Sequence, residues 1–409
     1  MGIAADVARP IIPAHIPPEL VLPFDPWQNL GDRPHEALAR AQGFGRVVYS
    51  PSHHIIGYAP NGAWMVTRAK EARDLLLDTG TFSSQHTTGI AEVLGETFKL
   101  SPIEADPPEH GISRTLLNPV FLPQNVRKLD GKARERATSL VHGFAGRGEC
   151  EFMQDFAKIL PSELFLDLLG LPHNRLAEFL HWEELIMDST TLEGRVLGLR
   201  AVADYLRGEI VARRANPTDD VLSLVVNTPV GDGLRSLDEC LGTALLLYIA
   251  GLDTVVNALA WQFRYLAEHP ADQERLRADP AGIPRAVDEM FRAFSMVSLT
   301  RRVTRHTEFH GVLMRAGDVV SIPTALASRD DDEFADASRV DFDRGPRRHF
   351  AFGYGPHICI GMHLAKVEIV ASIQTWLSEL PPFRIKPNTE IECSGGAVLS
   401  VHRLPLVCG

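Results

Sequence analysis

A single cysteine, Cys359, stands in the stretch FAFGYGPHICIGMHLAKVEI (Phe350 to Ile369), between a loop of glycine, proline and aromatics and a run with the texture of a helix. The thiolate is the form of cysteine that ligates a soft or borderline metal, and the free amides and dipole of a helix N-terminus favour that charge. Gly353, Gly355 and Gly361 would let the backbone approach a flat ligand and turn amides toward the sulfur. Most lone cysteines pack as small hydrophobes. Here the glycine and aromatic spacing favours a ligand.

Two further groups can do chemistry. AGLDTV (Ala250 to Val255) places an acid and an alcohol inside a long apolar segment, where polar groups need partners. One reading is a helix locally opened at Gly251, with Asp253 and Thr254 facing a cavity, binding a small ligand such as dioxygen and relaying protons to it. The other is that Thr254 back-bonds to a carbonyl and Asp253 pairs with a nearby arginine. In DEMFR, Glu289 and Arg292 are spaced i, i+3, which on an isolated helix is a surface pair worth a few tenths of a kcal/mol.

The elements that must hold these groups are mostly helical. SLDECLGTALLLYIAGLDTVVNALAWQFRYLAEHP begins with Ser236 and Glu239, a capping box, and stops at Pro270, which predicts a helix of roughly thirty residues, about 45 Å long, through the middle of the protein. Asp253, Asn257 and its glycines mark it as a buried core helix and not a membrane span. Thr67 is expected to cap a helix over AKEARDLLLD, and Pro284 to sit in the first turn of another. RVVYS, AWMVT, TRRVT and TEFHGVLMRAGDVVSIP read as strands punctuated by Gly311 and Gly317, after a Pro-rich, extended lead-in of about sixty residues.

Composition excludes several classes. At 409 residues, 45% hydrophobic and 23% charged, the chain is an ordinary globular protein long enough to enclose a cavity. A net charge of −11 argues against a general nucleic-acid binder. Five widely spaced cysteines without a CxxC pair argue against a disulfide framework or a zinc site, and the prolines at 10, 13, 17 and 18 against an export signal, so a cytoplasmic setting is expected.

Together these features resemble one family. Phe352, Gly355, Cys359 and Gly361, with Glu-x-x-Arg upstream and Ala-Gly-x-Asp-Thr further upstream, are similar to the pattern of the cytochromes P450, haem-thiolate monooxygenases. GLDTVVN, FSS, DPPE, EFHGV and VDF bring the chain nearest to the bacterial camphor 5-exo-hydroxylase group, over nearly its whole length. The resemblance implies a mainly α fold with a smaller β part, a triangular prism with a long central helix. Residues 1–409 would form one domain, β-rich near 45–68, 300–325 and 383–409 and α-rich over 69–295 and 359–380.

It further implies haem b held by Cys359 as thiolate ligand, with His110, Arg114, Arg301 and His357 on the propionates and Phe352, Gly353, Ala250 and Gly251 against the macrocycle. Asp253 and Thr254 match the acid–alcohol pair of proton delivery, and Glu289, Arg292 and Arg339 a structural ion-pair network. Phe98 falls where camphor enzymes carry a tyrosine that hydrogen-bonds the substrate ketone, and Phe cannot donate. Ile103 and Leu299 likewise replace polar residues, so an apolar pocket of Phe98, Ile103, Leu246, Ile249, Val297 and Val398 is expected. The implied partners are O2 and a [2Fe–2S] ferredoxin with its NADH-dependent reductase, docking on a basic face of Arg73, Arg114 and Arg347, next to Arg348. The implied protein is a monomer, with a substrate-channel lid over residues 173–214 that includes Trp182. The rivals are a peroxide-using relative and a haem sensor or carrier without turnover.

Overall fold

A computed structural model describes residues 12–52, 62–189, 191–230 and 233–409. The start of the Pro-rich lead-in and the stretch 53–61 lie outside the described residues; the rest of the lead-in is not wholly extended, because Pro34 opens a short helix, Pro34–Ala39. The longer helices that build the site are α1 (Ala69–Leu77), α2 (Glu109–Leu117), α3 (Asp130–Ala145), α4 (Ile159–Leu169), α5 (Leu176–Asp188), α6 (Leu192–Ala215), α7 (Leu237–Glu268), α8 (Ile283–Ala293) and α9 (Met362–Glu379).

The capping box on α7 forms as its sequence requires: Ser236 Oγ accepts from Glu239 N (3.1 Å), and Glu239 Oε2 accepts from Ser236 N (2.8 Å). Among the described residues α7 is the one helix long and apolar enough to cross a membrane, and 76% of its most apolar window is buried inside the protein. Its hydrophobicity therefore serves the core. The expected cap at Thr67 is different. Its hydroxyl donates to Gly45 O (2.6 Å), and the first amide of α1, Ala69 N, is met instead by Asp330 Oδ2 (2.8 Å) from far along the chain.

Strands β1 (Val47–Ser50), β2 (Ala63–Val66), β3 (Phe82–Ser83), β4 (Glu149–Glu151), β5 (Ser298–Val303), β6 (Thr307–Phe309), β7 (Val312–Met314), β8 (Val319–Pro323), β9 (Phe383–Ile385), β10 (Cys393–Ser394), β11 (Ser400–Val401) and β12 (Pro405–Cys408) form four small sheets. The largest has the order β1-β2-β8-β5-β3, in which only β2 and β8 run parallel. Gly311 and Gly317 take φ of 81° and 90° at the turns that join β6 to β7 and lead into β8. Pairing of Phe82 with Val303 and Ser83 with Arg302 carries the FSS segment to the side of β5. β12 closes a second sheet between β4 and β9.

Among the described residues, three apolar clusters make up the core. One packs the C-terminal half of α7 against α3, α8 and α9; one packs its N-terminal half against the hairpin of α5 and α6; the third lies on the large sheet. Leu246 and Ile249 border the second, Val297, Val398 and Phe352 the first, and Leu299 the third. These half-covered side chains mark a cleft where the clusters meet.

The ion pair of α8 is buried, unlike an isolated i, i+3 pair. Arg292 Nε and Nη2 donate to the two oxygens of Glu289 (2.8 and 2.7 Å), and the remaining donors reach the carbonyls of Ser328, Ala337 and Arg339. Arg339 completes this network through its backbone and not its guanidinium. The second cation on Glu289 is Arg344 (Nε to Oε1, 3.1 Å), which lies five residues further on in the same irregular segment.

Candidate active site

α7 is buried along most of its length, yet Leu246, Ile249, Ala250 and Thr254 are accessible. Their spacing of three, one and four residues places them on one face, which therefore looks into the cleft. The helix is unbroken through Gly251. Gly251 does not open a groove: a Cβ there would stand 2.4 Å from the Phe165 ring, so the glycine exists to let α4 pack closely, and Ala250 is the residue that faces the cleft. The Thr254 hydroxyl donates to Ala250 O (3.0 Å). Asp253 is buried, and its Oδ1 accepts from Asn257 Nδ2 (2.9 Å); Asn257 Oδ1 in turn accepts from Val401 N (2.9 Å). Asp253 also lines a second, small cleft of mixed polarity, where Lys158, Glu183 and His402 meet Met153, Leu180 and Met187. Asn257 is a positioning residue that motif reading passes over. Its signal is the polar residue one turn after Asp253 in a segment otherwise buried.

Cys359 is held at the end of the glycine-rich loop, its amide donating to Phe352 O (2.8 Å) and α9 starting three residues later. Cys359 is an exposed residue at that point and belongs to none of the apolar clusters. The helix terminus was expected to lower its pKa. Although the residue keeps accessible surface, the protein packed around the sulfur withdraws it from water and pushes the thiol up, and the amides of Gly361 and Met362, together with the charge of Arg114, offset that only in part. A metal cation bound at the sulfur would supply the missing positive charge and favour the thiolate. Of the loop glycines, Gly353 (φ 72°) would bring a Cβ near only Leu299 and His357 O, at 3.6 Å. Gly355 (φ 71°) serves packing: a Cβ there would meet Leu76 O of α1 at 2.7 Å, so its place is against the helix and not a flat ligand.

On strand β5 and the residue before it, Val297, Leu299 and Arg301 share one face. The first two are partly accessible and Arg301 is 4% exposed, so one face runs from apolar to basic. At the basic end the ring of His357 lies 4.1 Å from that of His110, His357 Nε2 meets Ser84 Oγ (3.2 Å), and Arg114 Nη1 donates to Ile358 O (2.7 Å). Burial, then Arg301, His110 and Arg114, push the His357 imidazole down to about 3; burial first and then the two arginines also lower His110. Two arginines and two imidazoles thus converge with Asp106 as the carboxylate that acts on His110 and Arg301. His110 Nε2 and Arg301 Nε are buried without a hydrogen-bond partner.

The haem that the resemblance implies fits this chain. It needs a cysteine outside the apolar clusters, which Cys359 provides, and donors for two carboxylates, which the orphaned nitrogens of His110 and Arg301 beside Arg114 and His357 provide.

The other expected positions divide. Phe98 is buried in the cluster of α7 and the α5–α6 hairpin, whereas Ile103 stands on a turn at 39% exposure and packs against none of the three clusters, so it leaves the apolar wall. The stretch 173–214 expected as a lid is α5 and α6, with Trp182 edge-on to Phe179 (5.4 Å) and tilted against Tyr205 (5.7 Å). On the opposite side, Arg114 is turned inward to the cysteine loop and Arg73 is paired with Glu333 (2.9 Å), so neither is a free surface cation. The exposed pair on that side is Arg347 and Arg348.

Comparison with known proteins agrees with this geometry. The Cytochrome P450 family profile matches residues 283–394. The chain is 38% identical over 403 residues to the probable cytochrome P450 127A1 of Sinorhizobium fredii, covering 97% of this chain and 96% of that one. It is 29% identical over 371 residues to the vitamin D3 dihydroxylase of Streptomyces griseolus, covering 87% and 90%. Among solved structures, cytochrome P450 CYP101C1 superimposes with a TM-score of 0.87 at 32% identity, over 97% of this chain and 99% of that one, and CYP101J2 with 0.85 at 32%, over the same shares.

Proposed function

This chain belongs to the cytochrome P450 family, and on that premise we propose that it hydroxylates an unactivated C–H bond of a small terpenoid or norisoprenoid, of camphor to ionone size. It is a haem-dependent monooxygenase. Bound haem, with Cys359 as its thiolate ligand, supplies the activation of dioxygen. The chain's own residues bind the substrate, exclude water and handle protons.

The observation that carries the substrate reading is the apolar wall. Leu246 and Ile249 of α7, Val297, Leu299 and Val398 are all half-covered and all hydrocarbon, and Phe98 offers no hydrogen-bond donor. Such a wall orients a hydrocarbon by shape and discriminates weakly, at about 1–3 kcal/mol per methylene. Substrate-induced conversion of the haem from low to high spin tests it. An ionone is expected to give a fuller shift than camphor, and a fuller shift with camphor would overturn the inference from Phe98.

Protons enter on the α7 side. Thr254, itself on the cleft-facing side of α7, holds its proton on Oγ1 against Ala250 O, and Asp253, oriented by Asn257, supplies the neighbouring acid. Thr254→Ala is expected to leave substrate affinity unchanged while product formation falls about a hundredfold, within the range for loss of a positioned proton donor, as consumed reducing equivalents appear as hydrogen peroxide. Fully coupled turnover in that variant would refute the role.

Electrons are proposed to come from a [2Fe–2S] ferredoxin served by an NADH-dependent reductase, docking where Arg347 and Arg348 are exposed. A cytoplasmic monomer suits the cysteine usage and the buried α7.

A further inference from the structure

We propose that Gly242 of α7 is a specificity-determining position: by carrying no side chain it lets the backbone of Lys99 lie directly on the helix, and so sets how far the Phe98 ring reaches over the substrate cleft. The inference rests on the reading of Phe98 as a substrate contact. A Cβ at Gly242 would stand 2.0 Å from Lys99 O, 2.9 Å from its carbonyl carbon and 3.3 Å from Phe98 Cδ2. The obstruction is backbone and not the end of a flexible side chain. Lys99 O is further fixed by accepting from Ser101 N (2.9 Å).

Gly242 lies one turn before Leu246, on the cleft-facing side of α7. The Phe98 segment therefore closes the end of the same face that Leu246, Ile249 and Ala250 line. Glycine is a poor residue for a helix interior, so a close approach is the reason for its presence here.

The segment is also held from its other side. Arg200 of α6 donates to Leu94 O (3.0 Å), and Arg207 of α6 pairs with Glu96 (2.7 Å) while reaching Asp238 at the start of α7 (3.7 Å). Glu104 Oε2 accepts from Leu100 N (3.1 Å). Residues 94–100 are thus wedged between the lid helix and α7. A methyl group at position 242 requires a displacement of roughly 1 Å or more before normal contact distances return, and the Phe98 ring moves with its backbone.

The test uses haem-loaded protein with β-ionone and camphor as probes, reading affinity from the spin-state titration and the product ratio from turnover. Gly242→Ala is expected to keep the thiolate signature of the carbon monoxide complex, to weaken the binding of β-ionone at least about tenfold and to change its product ratio. Gly208→Ala, at a helix glycine with nothing within 4 Å, is expected to behave as wild type. Wild-type affinity and product ratio in Gly242→Ala would overturn the inference.

Phe98→Ala separates the two readings. If it is silent, Phe98 is not a substrate contact; if it alters binding while Gly242→Ala is silent, the positioning role alone fails. Should Gly242→Ala not accumulate as folded protein, Arg207→Gln loosens the segment from the lid side without crowding α7. It is expected to change the product ratio, and an unchanged ratio would overturn the inference.

Discussion

Cys359→Ala is expected to abolish both the strongly red-shifted Soret band of the reduced, carbon monoxide-treated protein and all hydroxylation. Changes to groups beyond the metal ligands commonly cost about 10–100-fold, so loss of the ligand itself is expected to exceed a hundredfold. The structure isolates this thiol: the glycine-rich loop and α9 hold its backbone, it belongs to none of the apolar clusters, and the amides of Gly361 and Met362 are aimed at it. Cys359→His is the sharper comparison. It keeps a ligand of similar reach but not a thiolate, so haem should remain bound while the band returns to its ordinary position and turnover is lost. A red-shifted band in either variant would sink the assignment.

Arg292→Leu is expected to lower the stability of the haem-loaded protein by about 3–5 kcal/mol, read as a drop in denaturant midpoint at unchanged slope. The guanidinium is 2% exposed and all five of its donors are used, two on Glu289 and three on backbone carbonyls between Ser328 and Arg339. Its loss leaves the carbonyls of Ser328 and Ala337 without their donor, Arg339 O with only Arg344 Nη2 (3.2 Å), and Glu289 with only Arg344 to balance its charge. Arg292→Lys is not a rescue, because a single ammonium cannot reproduce the planar fork. The carbonyls of Ala337 and Arg339 belong to the irregular stretch that leads to the cysteine loop, so haem retention should weaken along with stability. An effect below about 1 kcal/mol would reduce the network to an ordinary surface pair.

Much of this arrangement is legible where local chemistry decides it. Ser236 and Glu239 announce the start of α7, Pro270 its end, and the glycines around Cys359 the loop, because caps, prolines and turn glycines act through their immediate neighbours. What is not legible depends on residues that meet only in three dimensions. Thr67 has the right type for a cap, but Gly45 takes its hydroxyl and Asp330 takes its place. Arg339 has the charge for the ion-pair network, but Arg344 reaches Glu289. Gly251 and Gly355 sit beside chemistry yet answer to Phe165 and Leu76, and Arg73 and Arg114 lose their freedom to Glu333 and Ile358. Strands of two or three residues, such as β3 and β4, carry too little periodicity to be read at all, although β3 is what brings Ser84 to His357.

The tie between Asn257 and Val401 spans 144 residues of chain, and the indole of Trp261 is closed by Leu399 O in the same way. At a synthesis rate of about 5–20 residues per second, the notch that orients Asp253 waits roughly 7 to 30 s for its partner to leave the ribosome. Throughout that interval the C-terminal half of α7 also lacks the α9 and C-terminal strand residues that bury its apolar side chains. Pausing late in the message, rather than early, is therefore what prolongs the nascent chain's exposure to aggregation.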